Sequence, residues 1–205
     1  QIPDFFNIQQ RLLAQPQAFN EIALQVFNYQ YHNNLLYREF CQLIGRSPEK
    51  VEVFQDIPFL PISFFKSHQV TCFEAVWAER VYTSSGTTGQ QTSRHFVRKY
   101  ADYRLSFEKS FELFYGNITD YCVLALLPNY LEREGSSLVE MAKDLIAKSG
   151  HSDSGFYLNN LGQLAETINR LPAQKILLLG VTYALLDLTD LGPFHWPNVT
   201  VMETG

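Results

Sequence analysis

Thr83-Ser84-Ser85-Gly86-Thr87-Thr88-Gly89 follows directly on the apolar pair Val81-Tyr82. Every residue of the stretch is a glycine or carries a hydroxyl. Glycine lets the backbone approach an anion closely and take up positive φ, while hydroxyls and bared amides donate hydrogen bonds. Successive amides in such a loop form a concavity that holds phosphate oxygens. A Ser/Gly linker has the same composition, but linkers seldom sit between a strand-like run and a long amphipathic segment. The stretch reads as a nucleotide phosphate-binding loop.

Two common phosphate loops do not fit. The Walker pattern needs Lys-Ser/Thr after its second glycine, and Gln91 stands five residues on from Gly86. The dinucleotide fingerprint needs a further glycine two positions after the first, and Thr88 stands there. Arg94 is the first cation after the loop, and a guanidinium can fork onto phosphate oxygens.

Outward from the loop the pattern is α/β. Residues 5 to 45 repeat apolar side chains at helical spacing (Phe19, Ile22, Ala23, Val26, Phe27, then Leu35, Leu36, Phe40, Leu43, Ile44), with Gly45 as a stop. Pro58 and Pro61 forbid a regular central helix or strand, so Ile57 to Ile62 reads as an extended, buried connector. After the loop, Phe96 to Phe114 carries aromatic residues at helical intervals. Strands are expected at Tyr121 to Leu127, Lys175 to Leu179 and Val199 to Met202. Helices are expected near Ser137 to Lys148, Gly162 to Leu171 and Thr182 to Leu188. Ser137 with Glu140 forms a capping-box pattern, and Gly150 to Gly155 reads as loop. Continuous apolar strands alternating with helices imply a largely parallel sheet with flanking helices, where ligands bind beyond the carboxyl ends of strands. The whole of 1–205 reads as one domain, a mainly helical lead-in over 1–78 followed by an α/β nucleotide-binding portion over 79–205.

Composition narrows the function classes. Apolar residues make up 46% and charged residues 18%, a globular balance. A net charge of −5 and the lack of a basic cluster argue against nucleic acid. Cys41, Cys72 and Cys122 are odd in number and show no CxxC spacing, which suits reduced thiols in a cytoplasmic protein. The five histidines show no metal-ligand spacing. No apolar run reaches membrane-span length, and no leader-like segment opens the chain as given. Gly150-His151-Ser152-Asp153-Ser154-Gly155 falls short of a nucleophile elbow, because a serine stands where glycine is required after Ser152. Lys66, His68 and His95 read as ordinary surface or hydrogen-bonded side chains, and the mixed charges Glu132-Arg133-Glu134 as an exposed turn.

The loop resembles the phosphate loop of the adenylate-forming (acyl-activating) enzymes, which reads Thr/Ser-Ser-Gly-Thr-Thr-Gly. Their following Pro-Lys-Gly is replaced here by Gln90-Gln91-Thr92-Ser93-Arg94, so the lysine is missing. Leu126-Leu127-Pro128-Asn129-Tyr130 resembles the family's strand end, closed by an aromatic residue beside the acyl pocket. Leu179-Gly180-Val181-Thr182 resembles its Gly-Val-Pro helix start, with Thr182 in place of proline. Val201-Met202-Glu203-Thr204-Gly205 resembles the strand leading to the turn that packs against adenine.

Within that superfamily, three segments look most like LuxE-type acyl-protein synthetases: Ile57 to Lys66, Leu131 to Leu138, and Glu203-Thr204-Gly205. The resemblance implies ATP- and Mg2+-dependent activation of a fatty or related carboxylic acid to an acyl-adenylate, then transfer to a protein cysteine thiol. It places phosphate binding at Thr83 to Gly89 with Arg94, the adenine side at Glu203, Thr204 and Gly205, and the acyl pocket at Tyr130, Gly180 and Val181. The magnesium glutamate, the catalytic lysine and the acceptor cysteine are expected beyond Gly205, so no metal ligand or catalytic residue is nominated in this chain. An acyl-CoA reductase or another acyl-accepting protein is the implied partner. The alternatives are a CoA ligase resembling phenylacetate-CoA ligases and a non-catalytic nucleotide-binding scaffold.

Overall fold

The computed structural model describes residues 8, 11–12, 14–84, 92–127, 135–157 and 160–204. The chain divides into two compact units, Gln1–Leu105 and Ser106–Gly205.

The first unit opens with helices α1 (Phe19–Asn33) and α2 (Leu35–Leu43). The Asn34 side chain between them accepts the Tyr37 amide at 3.1 Å, capping α2. Gly45 follows α2 at φ 70°, the left-handed stop expected of it. Phe27, Tyr37, Cys41 and Val51 form the core, with Ile57 and Leu60 packed on it. The Tyr37 hydroxyl donates to the Pro58 carbonyl at 2.6 Å and pins the connector to that core.

The connector is irregular as expected, yet only one side of it is buried. Phe59 is 83% and Ile62 75% exposed, while Ile57 and Leu60 face inward. The reason is the three-residue repeat that prolines favour: positions 57 and 60 share one side, 59 and 62 another. A single turn of helix, α3 (Phe64–Ser67), follows.

Strands β1 (Arg80–Thr83) and β2 (Arg94–Val97) pair antiparallel, from Arg80 opposite Val97 to Thr83 opposite Arg94. The phosphate-loop sequence therefore joins the arms of a two-stranded ribbon and does not follow a strand of the parallel sheet. Helix α4 spans Tyr100–Tyr115, and the division between units falls within it. The helix expected from Phe96 thus begins four residues later. Phe96 lies in helical phase with Tyr100 and Tyr103, so the repeat ran on into a segment that pairs as strand.

The second unit holds the parallel sheet, in the order β4–β3–β5–β6: β3 (Tyr121–Leu126), β4 (Gly155–Phe156), β5 (Lys175–Gly180) and β6 (Val199–Glu203). All of β3 and all of β5 beyond Lys175 are buried, as their continuous apolar runs require. Leu124, Leu126, Leu177 and Leu179 are sealed from solvent, each side chain contributing about 2 kcal/mol of burial. Helices α5 (Ser137–Ser149), α6 (Leu161–Arg170) and α7 (Thr182–Thr189) alternate with the strands. The Ser136 hydroxyl caps α5 by accepting the Val139 amide at 3.4 Å, one residue before the expected cap. Strand β4 occupies the end of the segment read as loop, because two residues are too few to show a period. Among the described residues, no helix is long and apolar enough to cross a membrane.

Candidate functional site

Residues expected in the site from the sequence occur in both units. In the first, Thr83 and Arg94 are the last paired residues of the hairpin. Beyond them the Ser84 amide donates to the Ser93 carbonyl at 3.1 Å, and the Ser93 amide donates to Ser84 Oγ at 3.0 Å. Ser93 is only 6% exposed. This reciprocal pair closes the base from which the loop departs. Ser85, Gly86, Thr87, Thr88 and Gly89 lie outside the described residues. The Arg94 guanidinium lies over the Phe96 ring, 5.8 Å from its centroid, a placement that leaves its fork of donors exposed at the hairpin end.

The next residue along β2 faces the other way from Arg94. His95 Nε2 is 3.3 Å from Ser93 Oγ, and its ring stacks on Phe65 at 4.7 Å and 20°. Burial pushes the His95 imidazole below its ordinary pKa. Sequence reading treated His95 as ordinary. The i, i+2 spacing of Ser93 and His95 would have put them on one face had the hairpin been recognised.

In the second unit, the register aligns Leu126, Gly180 and Glu203 across the carboxyl edge of the sheet. The Thr204 amide donates to the Gly180 carbonyl at 2.9 Å, extending the ladder past β6. The Thr182 hydroxyl donates to the Glu203 carboxylate. Threonine in place of the expected proline thus supplies a bond that proline could not. Gly180 packs closely on α7: a Cβ there would meet Leu185 Cγ and Cδ2 at 2.8 Å, so that side chain would have to shift. Val181 is buried in the core beside Ala184 and Leu188. Tyr130 and Gly205 lie outside the described residues.

The rival constellations have structural explanations. Ser154 Oγ accepts the Val123 amide at 2.8 Å and lies 2.8 Å from Ser149 Oγ, tying the turn after α5 to β3. His151 Nδ1 accepts the Asp153 amide at 3.2 Å, and Asp153 is paired with Arg170. Burial pushes the thiols of Cys41, Cys72 and Cys122 up, which disfavours the thiolate nucleophile. His68 Nδ1 lies 2.8 Å from Ser67 Oγ, and its ring stacks on Phe64. Among the described residues, no group of three or more His, Cys, Asp or Glu could hold a metal ion.

Comparison with known families matches residues 10–107 to the model of the acyl-protein synthetase family, LuxE. This stretch, slightly under half of the chain, is similar to that family. The segment includes the Thr83 to Gly89 loop, the Ser84–Ser93 base and His95, and it ends before the sheet edge of Leu126, Gly180 and Glu203. A long-chain-fatty-acid–luciferin-component ligase of Vibrio harveyi is 38% identical over 81 residues, 40% of this chain. The match spans 21% of that relative, about a fifth of its length. No solved structure matches the chain.

Proposed function

We propose that the protein activates a fatty or related carboxylic acid with ATP and passes the acyl group to a protein cysteine thiol. The observation that carries this reading is the LuxE-type match over residues 10–107, which includes the phosphate-loop sequence. A carboxylate oxygen attacks the α-phosphorus of ATP, the bond to pyrophosphate breaks, and an acyl-adenylate forms. A thiolate then attacks the acyl carbonyl and AMP leaves. The first step brings negative charges together, so the protein's task is positioning and charge neutralisation.

In this reading the Thr83 to Gly89 amides and hydroxyls, with Arg94, hold the phosphates that leave. The Ser84–Ser93 pair keeps the two ends of that loop together before nucleotide arrives. Glu203, Thr204 and Gly205 take the adenine side, and Tyr130, Gly180 and Val181 the acyl side. Magnesium supplies charge shielding when bound to the phosphates. The acceptor is a protein thiol in the cytoplasm, other than Cys41, Cys72 or Cys122.

Radiolabelled pyrophosphate exchange by the full-length gene product, run against a panel of carboxylic acids, tests the reading. Exchange that depends on a long-chain acid is expected, and a hydroxylamine-labile acyl-protein should accumulate. Silence with every acid in the panel overturns it.

A further inference from the structure

The first unit contains an apolar cavity of about 480 Å³ that the chemistry above does not use. Ala23, Val26 and Phe27 of α1 line one side of it, and Phe54, Ile57 and Leu60 another. Two different repeats put them there. Ala23, Val26 and Phe27 stand three and four residues apart on one face of a helix, while Ile57 and Leu60 share the inward side of the proline-paced connector. Ala23, Val26, Phe54 and Ile57 are only half-buried, and the apolar surface they keep open faces this space.

The polar groups of the wall are already engaged with the protein. The Asn34 side chain accepts the Tyr37 amide at 3.1 Å, and the Tyr37 hydroxyl donates to the Pro58 carbonyl at 2.6 Å. Among the described residues, no charged side chain lines the cavity. A ligand is therefore held there by apolar surface, because a carboxylate or phosphate inside would lose its water without gaining a partner. The rim is apolar as well. Phe19 and Phe59 are exposed there, and Phe19 meets Phe54 edge-on at 4.9 Å.

Size narrows the choice. Small-molecule cavities run from about 300 to about 1,000 Å³. Taking about 30 Å³ per methylene, the share of one water molecule in the liquid, the space suits an alkyl chain on the order of a dozen carbons long. We propose that this cavity binds the alkyl chain of a long-chain fatty acid, with the carboxylate left at the open end. The choice of occupant rests on the ligase reading above, which supplies such an acid as substrate. All the residues named lie within 10–107, the stretch similar to the acyl-protein synthetase family.

The test uses the full-length gene product and straight-chain acids from hexanoic to hexadecanoic. Displacement of a fluorescent polyene fatty acid reads binding, and pyrophosphate exchange reads the KM of each acid and of ATP. Each methylene buried should tighten binding about fourfold until the cavity is full, after which the gain stops. Ala23→Phe and Val26→Phe each place a ring in the cavity. Both should weaken tetradecanoic acid binding and raise its KM at least about tenfold, and bring the plateau to shorter chains. Hexanoic acid and ATP should keep parental values within about twofold. Thermal midpoints should hold, because the ring enters open space.

The series in the parent needs no variant, so it decides even if both substitutions prevent folding. No displacement by any acid overturns the proposal, and so does an affinity that climbs with chain length without a plateau. A parental profile in folded Ala23→Phe and Val26→Phe also overturns it, leaving the chain to the acyl side at Gly180 and Val181 and the ligase reading intact. Chain binding that the filled variants lose, in a protein that exchanges pyrophosphate with no acid, supports the cavity and overturns the ligase reading.

Discussion

Ser84 and Ser93 exchange two hydrogen bonds across the base of the β1–β2 hairpin, one from amide to carbonyl at 3.1 Å and one from amide to hydroxyl at 3.0 Å. The second bond uses a side chain where the ladder would have continued with a carbonyl. Ser84→Ala deletes that acceptor and leaves the amide of a buried residue unpaired. A cost of about 1–2 kcal/mol to the first unit follows. Thermal unfolding should show a midpoint several degrees lower, and an unchanged midpoint would mean that solvent replaces the hydroxyl.

At Gly180 the close approach of β5 and α7 leaves no room for a methyl group, with Leu185 carbons 2.8 Å from the position of a Cβ. Gly180→Ala should destabilise by about 1–3 kcal/mol through overpacking. Pairing it with Leu185→Ala makes room, so the double variant should lose less than the two single losses added. Denaturant unfolding of the four-member cycle reads the coupling; strict additivity would show that Leu185 moves aside freely.

Burial holds the His95 imidazole below its ordinary pKa of about 6.5. Above that value both folded and unfolded chains carry neutral imidazole, and no penalty arises. As pH falls, the unfolded chain binds its proton first, so stability drops until the pH passes the lower folded pKa. Phe65 and the Ser93 hydroxyl, the groups in contact with the ring, are both uncharged and cannot offset this. The parent should therefore gain stability from pH 5 to 7 by a component that His95→Phe lacks. Superimposable pH profiles of parent and variant would contradict the assignment.

Which parts of this were legible before the structure follows from how each signal is written. Tyr121–Leu126 and Lys175–Gly180 are continuous apolar runs, and a strand buried on both faces announces itself that way. The Thr83 to Gly89 loop was conspicuous by composition, but its setting was hidden. Phe96 happened to fall in phase with α4, so strand β2 was read as the start of a helix, and the Ser93–His95 face vanished with it. Gly155–Phe156 pairs through two residues only, too few for any period. The Thr182–Glu203 bond joins residues 21 apart that only the β5–β6 register brings together, which no local pattern encodes.

Cys41 and Cys122 are buried, and burial pushes both thiols up. Cys72 is partly exposed, with its thiol pushed up by the same cause. Native protein at pH 8 should therefore label slowly with a maleimide at Cys41 and Cys122, and quickly only once denaturant is added. In acylation with a labelled fatty acid, peptides containing Cys41, Cys72 or Cys122 should carry no hydroxylamine-labile label. Label on any of the three would place the acceptor within residues 1–205 and revise the proposed route.

Attack of a carboxylate on the α-phosphorus needs charge neutralised on both the entering and the leaving side. Among the described residues, Arg94 stands at the end of the β1–β2 pairing, and Glu203 on the sheet edge accepts from the Thr182 hydroxyl. In the proposed function, the magnesium carboxylate and the catalytic lysine are expected from residues other than those of this chain. The 205-residue chain expressed by itself should therefore give no pyrophosphate exchange under conditions where the full-length gene product does. Isothermal titration of the same chain separates binding from turnover: retained ATP affinity without exchange fits a half-site. Exchange by the isolated chain would show that Thr83 to Glu203 already holds every group the first step requires.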